Sequence, residues 1–341
     1  MITTETAQAL LFRHYGIRGT LTPLDADMDN NFWVKTNQGL QYTFKIMHDA
    51  CAQAAVALPC AVLQHLQRVA INIPRVIPTL SGRPFDTVMV DGGGETRFIW
   101  LLSWCSGTLL VEHSPHTQAI YHSFGRTLAT LDKALQGLEH PAMRLHSRWQ
   151  LTHALDNADK VDDIQGESRE IVRGVFNRFG STVLPQLHNL PHRIIHNDAN
   201  DYNVVVTAQA GQAIVNGLFD FGDSCWQPLI CEVALALAYL IHRKDDPLAV
   251  CASFLAGYCA VQALSQAELA VLFDLINTRL AVTVAISSHR QKREPNNKYI
   301  VYSQQPSKNA LITLAGIDAS VAQGVFYNAC GITPETGALT R

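Results

Sequence analysis

Residues Arg193–Val206 read RIIHNDANDYNVVV. Apolar residues at either end have the makings of two strands, and between them stand His196, Asn197, Asp198, Asn200, Asp201 and Asn203. Short polar side chains at that density between buried strands need hydrogen-bond partners or a role at the solvent boundary. Asp198 follows His196 by two residues, Asn203 follows Asp198 by five, and Asp220, in FDFGDS, comes seventeen later at the end of a further strand. Phosphoryl transfer needs this order of groups. One carboxylate takes up or orients the proton of an attacking hydroxyl, while an amide oxygen and a second carboxylate hold a divalent cation against nucleotide phosphates. A hairpin between the two segments keeps them together and preorganised. Each piece alone has a plain reading, since HxD is common, DFG is an ordinary turn, and loop Asp and Asn often cap or turn the backbone. The combination, behind a lysine on a third strand, favours transfer chemistry.

The bulk numbers narrow the class of protein. A chain of 341 residues can bury a large core and usually divides into two lobes. With 48% hydrophobic and 16% charged residues it reads as globular. A net charge of −3 provides no broad basic surface for nucleic acid or an anionic membrane, so the expected partners are small molecules or other proteins. The N-terminal MITTETAQALLFRHYG lacks the basic start and apolar run of a secretory signal. Leu229–Ile241 is too short to span a bilayer and carries Glu232. Eight cysteines are scattered without a C-x-x-C pair, which suggests free thiols in a cytoplasmic setting.

Along the chain, LTPLD (21–25), NFWVKT (31–36) and LQYTFKIM (40–47) read as strands, the last two joined by a short loop at Asn37-Gln38-Gly39. Alternation puts Leu40, Tyr42, Phe44 and Ile46 on one face and Lys45 on the other, with Gln41 and Thr43. A helix around Cys60–Arg68 and a strand at 96–104 follow, then CSGT (105–108) as a linker. Ile120, Phe124, Leu128, Leu131 and Leu135 recur at helical spacing with one buried stripe. After the strands at 193–219, the chain from about 228 is apolar and helix-like. The expected class is α+β: a small antiparallel-sheet lobe over 1–104, a hinge near 104–107, and a larger, mainly helical lobe over 105–341.

Beyond the loop and DFGDS, the segments EVALALAYL (232–240), FGRTLATLDKALQGLEHPA (124–142) and LFDLINTRLAV (272–282) extend the pattern. Together they resemble the aminoglycoside phosphotransferase superfamily, which has a protein-kinase-like fold and acts on small molecules. The nearest likeness is to its hydroxylysine kinase branch and to phosphotransferase domains fused to class III aminotransferases. The resemblance implies Asp198 as catalytic base, Asn203 and Asp220 as ligands of Mg²⁺, ATP or GTP as donor, and His196 as a structural brace of the loop. It implies that Lys45 reaches the nucleotide phosphates. No Glu occurs between Lys45 and Glu95, however, and Ala57 and Pro59 stand where a pairing acid belongs, with Asp49 as a substitute. DADMDNNF (25–32) falls where a phosphate-covering loop belongs, with Asn30 and Asn31 as donors or as parts of a simple turn. Ser103 and Cys105, in LLSWCSG (101–107), are candidates for contact with the base.

Asp223 and Glu232 are spare carboxylates that could hold a substrate ammonium or cap the following helix; the cap is favoured for Glu232, the site for Asp223. Arg279 and Arg290 are candidates for a substrate carboxylate. The implied function is a Mg²⁺-dependent kinase for a hydroxyl of an amino acid or amino alcohol such as 5-hydroxylysine. The alternatives are a nucleotide-binding pseudokinase with a regulatory role and an aminoglycoside-modifying kinase.

Overall fold

A computed structural model describes residues 2–26, 28–48, 51–90, 95–295 and 303–333. The first of its two units comprises Met1–Ser106 and Leu138–Leu145. Its helices are α1 (Thr4–Tyr15) and α2 (Ala54–His65), and its strands are β1 (Thr20–Leu24), β2 (Asn30–Lys35), β3 (Gln41–Ile46), β4 (Val76–Ile77), β5 (Asp86–Val90) and β6 (Glu95–Ser103). All strand pairs are antiparallel, in the order β1-β2-β3-β6-β4, with β5 on β6. Alternation decides which side is covered: Phe32, Val34, Phe44, Ile46, Ile99 and Leu101 pack with Ala7, Leu10, Leu11 and Tyr15 of α1.

No pattern in the reading above marks α1, although its ends carry standard signals. The Thr3 side chain accepts the Thr6 N–H, and Gly16 closes the helix at φ 69°. Helix α2 starts six residues earlier than expected, because Pro59 lies inside it rather than ahead of it. The segment 138–145 rejoins this unit, where a turn at Pro141–Arg144 packs on α2. A short polar excursion of that kind carries no periodicity to betray its destination.

The second unit comprises Gly107–Gly137 and His146–Arg341. Its helices are α3 (Gln118–Ala134), α4 (Ser168–Arg178), α5 (Leu184–Leu187), α6 (Ile230–Leu240), α7 (Pro247–Cys259), α8 (Gln266–Arg293), α9 (Gln304–Ala315) and α10 (Ala319–Ala329). The predicted stripe on α3 is buried throughout. Helices α3 and α7 touch backbone to backbone, since a Cβ at Gly125 would overlap the Phe254 carbonyl oxygen and one at Gly257 that of His122. Helix α8 is long and apolar enough to cross a membrane, yet most of it is buried in protein, against α4, α6 and α9 among others.

Five short strands complete the unit: β7 (Thr108–Leu109), β8 (His192–Ile195), β9 (Val204–Gln209), β10 (Gln212–Leu218) and β11 (Cys225–Pro228). They form two small sheets, β10-β9-β7 and β11-β8, all antiparallel. The β9–β10 hairpin turns on Ala210 and Gly211, both left-handed, as a tight two-residue turn demands.

Candidate active site

The two small sheets position the polar loop. The chain leaves β8 into residues 196–203, enters the β9–β10 hairpin, and returns through 219–224 to β11, which pairs with β8. Loop and return are laced together. The Phe219 N–H donates to the Asn203 carbonyl at 3.0 Å, and His196 Nε2 donates to the Phe219 carbonyl at 3.0 Å.

His196 is buried, and its second nitrogen, Nδ1, accepts the Asp198 N–H at 3.1 Å. One nitrogen donates to a carbonyl and the other accepts from an amide, so the ring is neutral. Burial pushes its pKa down to about 4. The role expected for His196, a brace of the loop, is the one its contacts describe. Between the unperturbed value of about 6.5 and the folded value the unfolded chain binds more protons, so stability falls as pH falls through that window. We expect acidification from pH 6.5 to 4 to cost the wild type up to about 3 kcal/mol more than His196→Asn. Urea unfolding of both proteins across that range measures the difference, and parallel pH curves would contradict the assignment.

Asp198 is held from two sides. Asn203 Nδ2 donates to its Oδ2 at 2.6 Å and Asn200 Nδ2 to its Oδ1 at 2.9 Å. Its side chain keeps 22% exposure, so one edge stays open to a reactant. Burial pushes its pKa up to about 8, with Asp223 and Asp220 acting in the same sense against Arg279 and Asn200. Asp198 in the loop and Asp220 and Asp223 on the returning turn give a local excess of negative charge, which a cation relieves.

The residues present fit a divalent cation. Asn203 Nδ2 donates twice to Asp198, to Oδ2 and to the backbone carbonyl at 3.0 Å, and this fixes the amide's orientation. The Asn203 Oδ1 accepts no hydrogen bond among the described residues, so an oxygen ligand is left available. Asp220 sits in the left-handed region at φ 63°, a backbone position that costs on the order of 1 kcal/mol and persists where its surroundings impose it. Amide and carboxylate oxygens suit Mg²⁺ or Ca²⁺. Among the described residues no group of three or more His, Cys, Asp or Glu side chains could hold a metal, so other ligands would come from phosphates and water.

Glu232 is a correction. It is neither a substrate group nor a helix cap: its carboxylate is fully buried, and Oε2 accepts the Asn197 N–H at 2.8 Å. Asn197 is itself left-handed, and its Oδ1 accepts from Gln227 Nε2 at 2.6 Å. Glu232 and Gln227 therefore brace the polar loop from behind. Every side of α6 around Glu232 is buried, which is why a first-turn acid faces protein rather than solvent.

Arg279, a candidate for a substrate carboxylate, is 2% exposed. Its guanidinium lies near the Trp149 and Tyr239 rings, at 5.0 and 5.5 Å from their centroids. Nη1 donates to the Trp149 carbonyl at 2.9 Å, and Nη2 stands 3.9 Å from Asp198 Oδ1. It is a buried counter-charge to Asp198. Arg290 lies eleven residues further along α8, on the order of 16 Å by helical rise, and is 3.6 Å from Glu294. The fold does not bring the two arginines together.

In the first unit, Lys45 is only 8% exposed, with Nζ 5.6 Å from the ring of Trp100, its register partner on β6. It is buried although Gln41 and Thr43, on the same face of β3, are only half-buried. Asn31 pairs in register with Lys45, and among the described residues its buried Oδ1 has no partner, whereas Asn30 Oδ1 is committed to the Ile2 N–H at 2.9 Å. The Ser103 hydroxyl accepts the Arg75 N–H at 2.8 Å, and the buried Cys105 thiol donates to the Asn72 carbonyl at 3.1 Å. Those two side chains hold structure, and the Ser103 N–H is itself committed to the Arg75 carbonyl at 2.9 Å. Helix α2 contains no acid, and Asp49 lies outside the described residues.

Asn200, Asn197, Gln227 and Tyr239 escaped the sequence reading as site residues. The two asparagines were within the quoted loop and could have been flagged by asking what orients Asp198. Gln227 and Tyr239 carried no local signal.

The sequence model described as "Phosphotransferase enzyme family" (APH) matches residues 20–270. Hydroxylysine kinase of Danio rerio is 27% identical over 297 residues, covering 84% of this chain and 83% of that protein. Among solved structures, amicoumacin kinase hAmiN in complex with AMP-PNP, Ca²⁺ and Ami superposes with a TM-score of 0.72 at 13% identity, over 94% of this chain and 97% of that one. A microcompartment-associated aminopropanol kinase gives 0.68 at 19% identity, over 96% and 98%. The fold is protein-kinase-like, with an antiparallel sheet in the first unit and a helical second unit.

Proposed function

The chain belongs to the phosphotransferase enzyme family, and from that premise we propose that it is a Mg²⁺-dependent kinase that phosphorylates a hydroxyl of an amine-bearing acceptor. The acceptor we assign is a hydroxylated amino acid or amino alcohol resembling 5-hydroxylysine, and the donor is ATP or GTP. One observation carries this reading. Asn203 orients the Asp198 carboxylate with its amide N–H at 2.6 Å while keeping its own oxygen free beside the Asp220 turn, so one side chain serves base and cation together. The hydroxylysine kinase likeness and the aminopropanol kinase fold support an acceptor with both amine and hydroxyl.

In this reading Asp198 takes the proton of the acceptor hydroxyl as the bond to phosphorus forms. Asn200 and Asn203 hold its two oxygens in place, and Arg279 offsets the charge of the acidic cluster from behind. A divalent cation at Asn203 and Asp220 would neutralise phosphate charge. Lys45 is assigned to the nucleotide phosphates, and Asp223 to the acceptor's ammonium.

The test is nucleotide consumption by purified protein with Mg²⁺, with ATP and GTP tried separately, against 5-hydroxylysine, 1-amino-2-propanol, ethanolamine and kanamycin. Turnover confined to the small hydroxylated amines is the expected result. Nucleotide binding without turnover on any acceptor would overturn the reading in favour of a regulatory pseudokinase, and turnover on kanamycin alone would make it an antibiotic-modifying enzyme.

A further inference from the structure

After α6 the chain reads His242-Arg243-Lys244, and these residues frame a cavity of about 80 Å³ with His116, Tyr239 and Asp201 of the catalytic loop. The space is several times what one ordered water requires. Its charge is unbalanced. His116 is neutral: Nε2 donates to the Leu110 carbonyl at 2.9 Å, which leaves Nδ1 to accept from Lys244 Nζ at 2.9 Å. Burial also pushes His242 down to about 4. Asp201 is the single carboxyl in the lining. Two cationic side chains, Arg243 and Lys244, therefore share the cavity with one carboxylate.

Arg243 forms no hydrogen bond or salt bridge among the described residues. It also stands at φ 59°, in the turn just after α6, where glycine would be the unstrained choice. The cavity is also linked to the reacting group. The Tyr239 hydroxyl in its wall accepts from Arg279 Nη2 at 3.3 Å, and that same nitrogen is 3.9 Å from Asp198 Oδ1. Asp201 lies three residues beyond Asp198 on the same loop.

We propose that this cavity is a carboxylate subsite in which Arg243 and Lys244 hold the acid group of the acceptor while its hydroxyl meets Asp198. The inference rests on the kinase reading above and sharpens it: the acceptor is a hydroxylated amino acid, and amino alcohols lacking the acid are poorer substrates. A monocarboxylate brings the missing charge and accepts from both cations.

The experiment compares 5-hydroxylysine with 1,5-diaminopentan-2-ol, its decarboxylated counterpart, in wild type, Arg243→Gly and Lys244→Gln. Arg243→Gly relaxes the left-handed turn, so thermal unfolding at or above the wild-type Tm certifies the fold. The expected result is a wild-type preference for the acid in kcat/KM that falls about tenfold in each variant, through KM rather than kcat, as loss of one charge-assisted contact predicts. Calorimetric titration of both compounds without nucleotide should show the same loss of preference in binding. Equal wild-type affinity for the two compounds, no binding of 5-hydroxylysine, or a preference that survives both substitutions would overturn the subsite. Absence of turnover alone would sink the kinase reading, while the titrations would still decide the subsite.

Discussion

Asp198→Ala should lower kcat by a factor of about 10²–10⁴, the range that loss of a general base produces, with nucleotide affinity held within about threefold. The reason lies in what Asp198 touches. Its oxygens are occupied by Asn200 and Asn203, and its open edge is where a hydroxyl can arrive. Removing the carboxylate takes away the proton acceptor while leaving the backbone of the loop tied to Glu232 through Asn197 and to Phe219 through His196. Steady-state kinetics with the best acceptor, beside nucleotide titration, checks both halves. Turnover within threefold of wild type would mean that Asp198 is not the base.

Gly125→Val should destabilise the protein by about 4 kcal/mol or more, the range of severe core defects. At Gly125 a Cβ would fall on the Phe254 carbonyl oxygen and within 2.7 Å of the Tyr258 nitrogen, both backbone atoms of α7 that cannot rotate aside. The damage would spread, because α3 also holds the catalytic hairpin. Thr127 Oγ1 donates to the Val215 carbonyl at 2.9 Å, and Ser123 Oγ accepts the Val215 N–H at 2.9 Å. Separating α3 from α7 also strains the buried bond from the Tyr258 hydroxyl to Asp132 Oδ2, 2.6 Å long. Chemical denaturation of the variant against wild type measures the loss. A change under about 1 kcal/mol would show that the two helices can part without cost.

The polar loop at 196–203 was readable because its spacing is local. His196, Asp198 and Asn203 lie within eight residues, so their spacing alone places them on one turn of chain between two strands. Asp220 was readable for a related reason: a tight hairpin returns the chain to its start, and the antiparallel β9–β10 pair does so. The strands carrying Phe44 and Ile46 announced themselves through period-two alternation, and α3 through its apolar stripe.

The errors share a cause as well. Glu232 was read as a helix cap or substrate group and Arg279 as a ligand for a substrate carboxylate, because sequence shows a charge but not what packs over it. Both are buried, one under Asn197 and the other beside Trp149, partners separated from them by 35 and 130 residues. The Arg243–Lys244 cavity depends in the same way on His116, 128 residues from Lys244.

What the amino-acid order determined unaided was the inventory of reactive groups and their sequence along a strand–loop–strand–turn path, since spacing and periodicity act over a few residues. Only the tertiary structure decided which charges are sealed and which stay open to a ligand. Burial is a property of neighbours, and these neighbours arrive from distant parts of the chain.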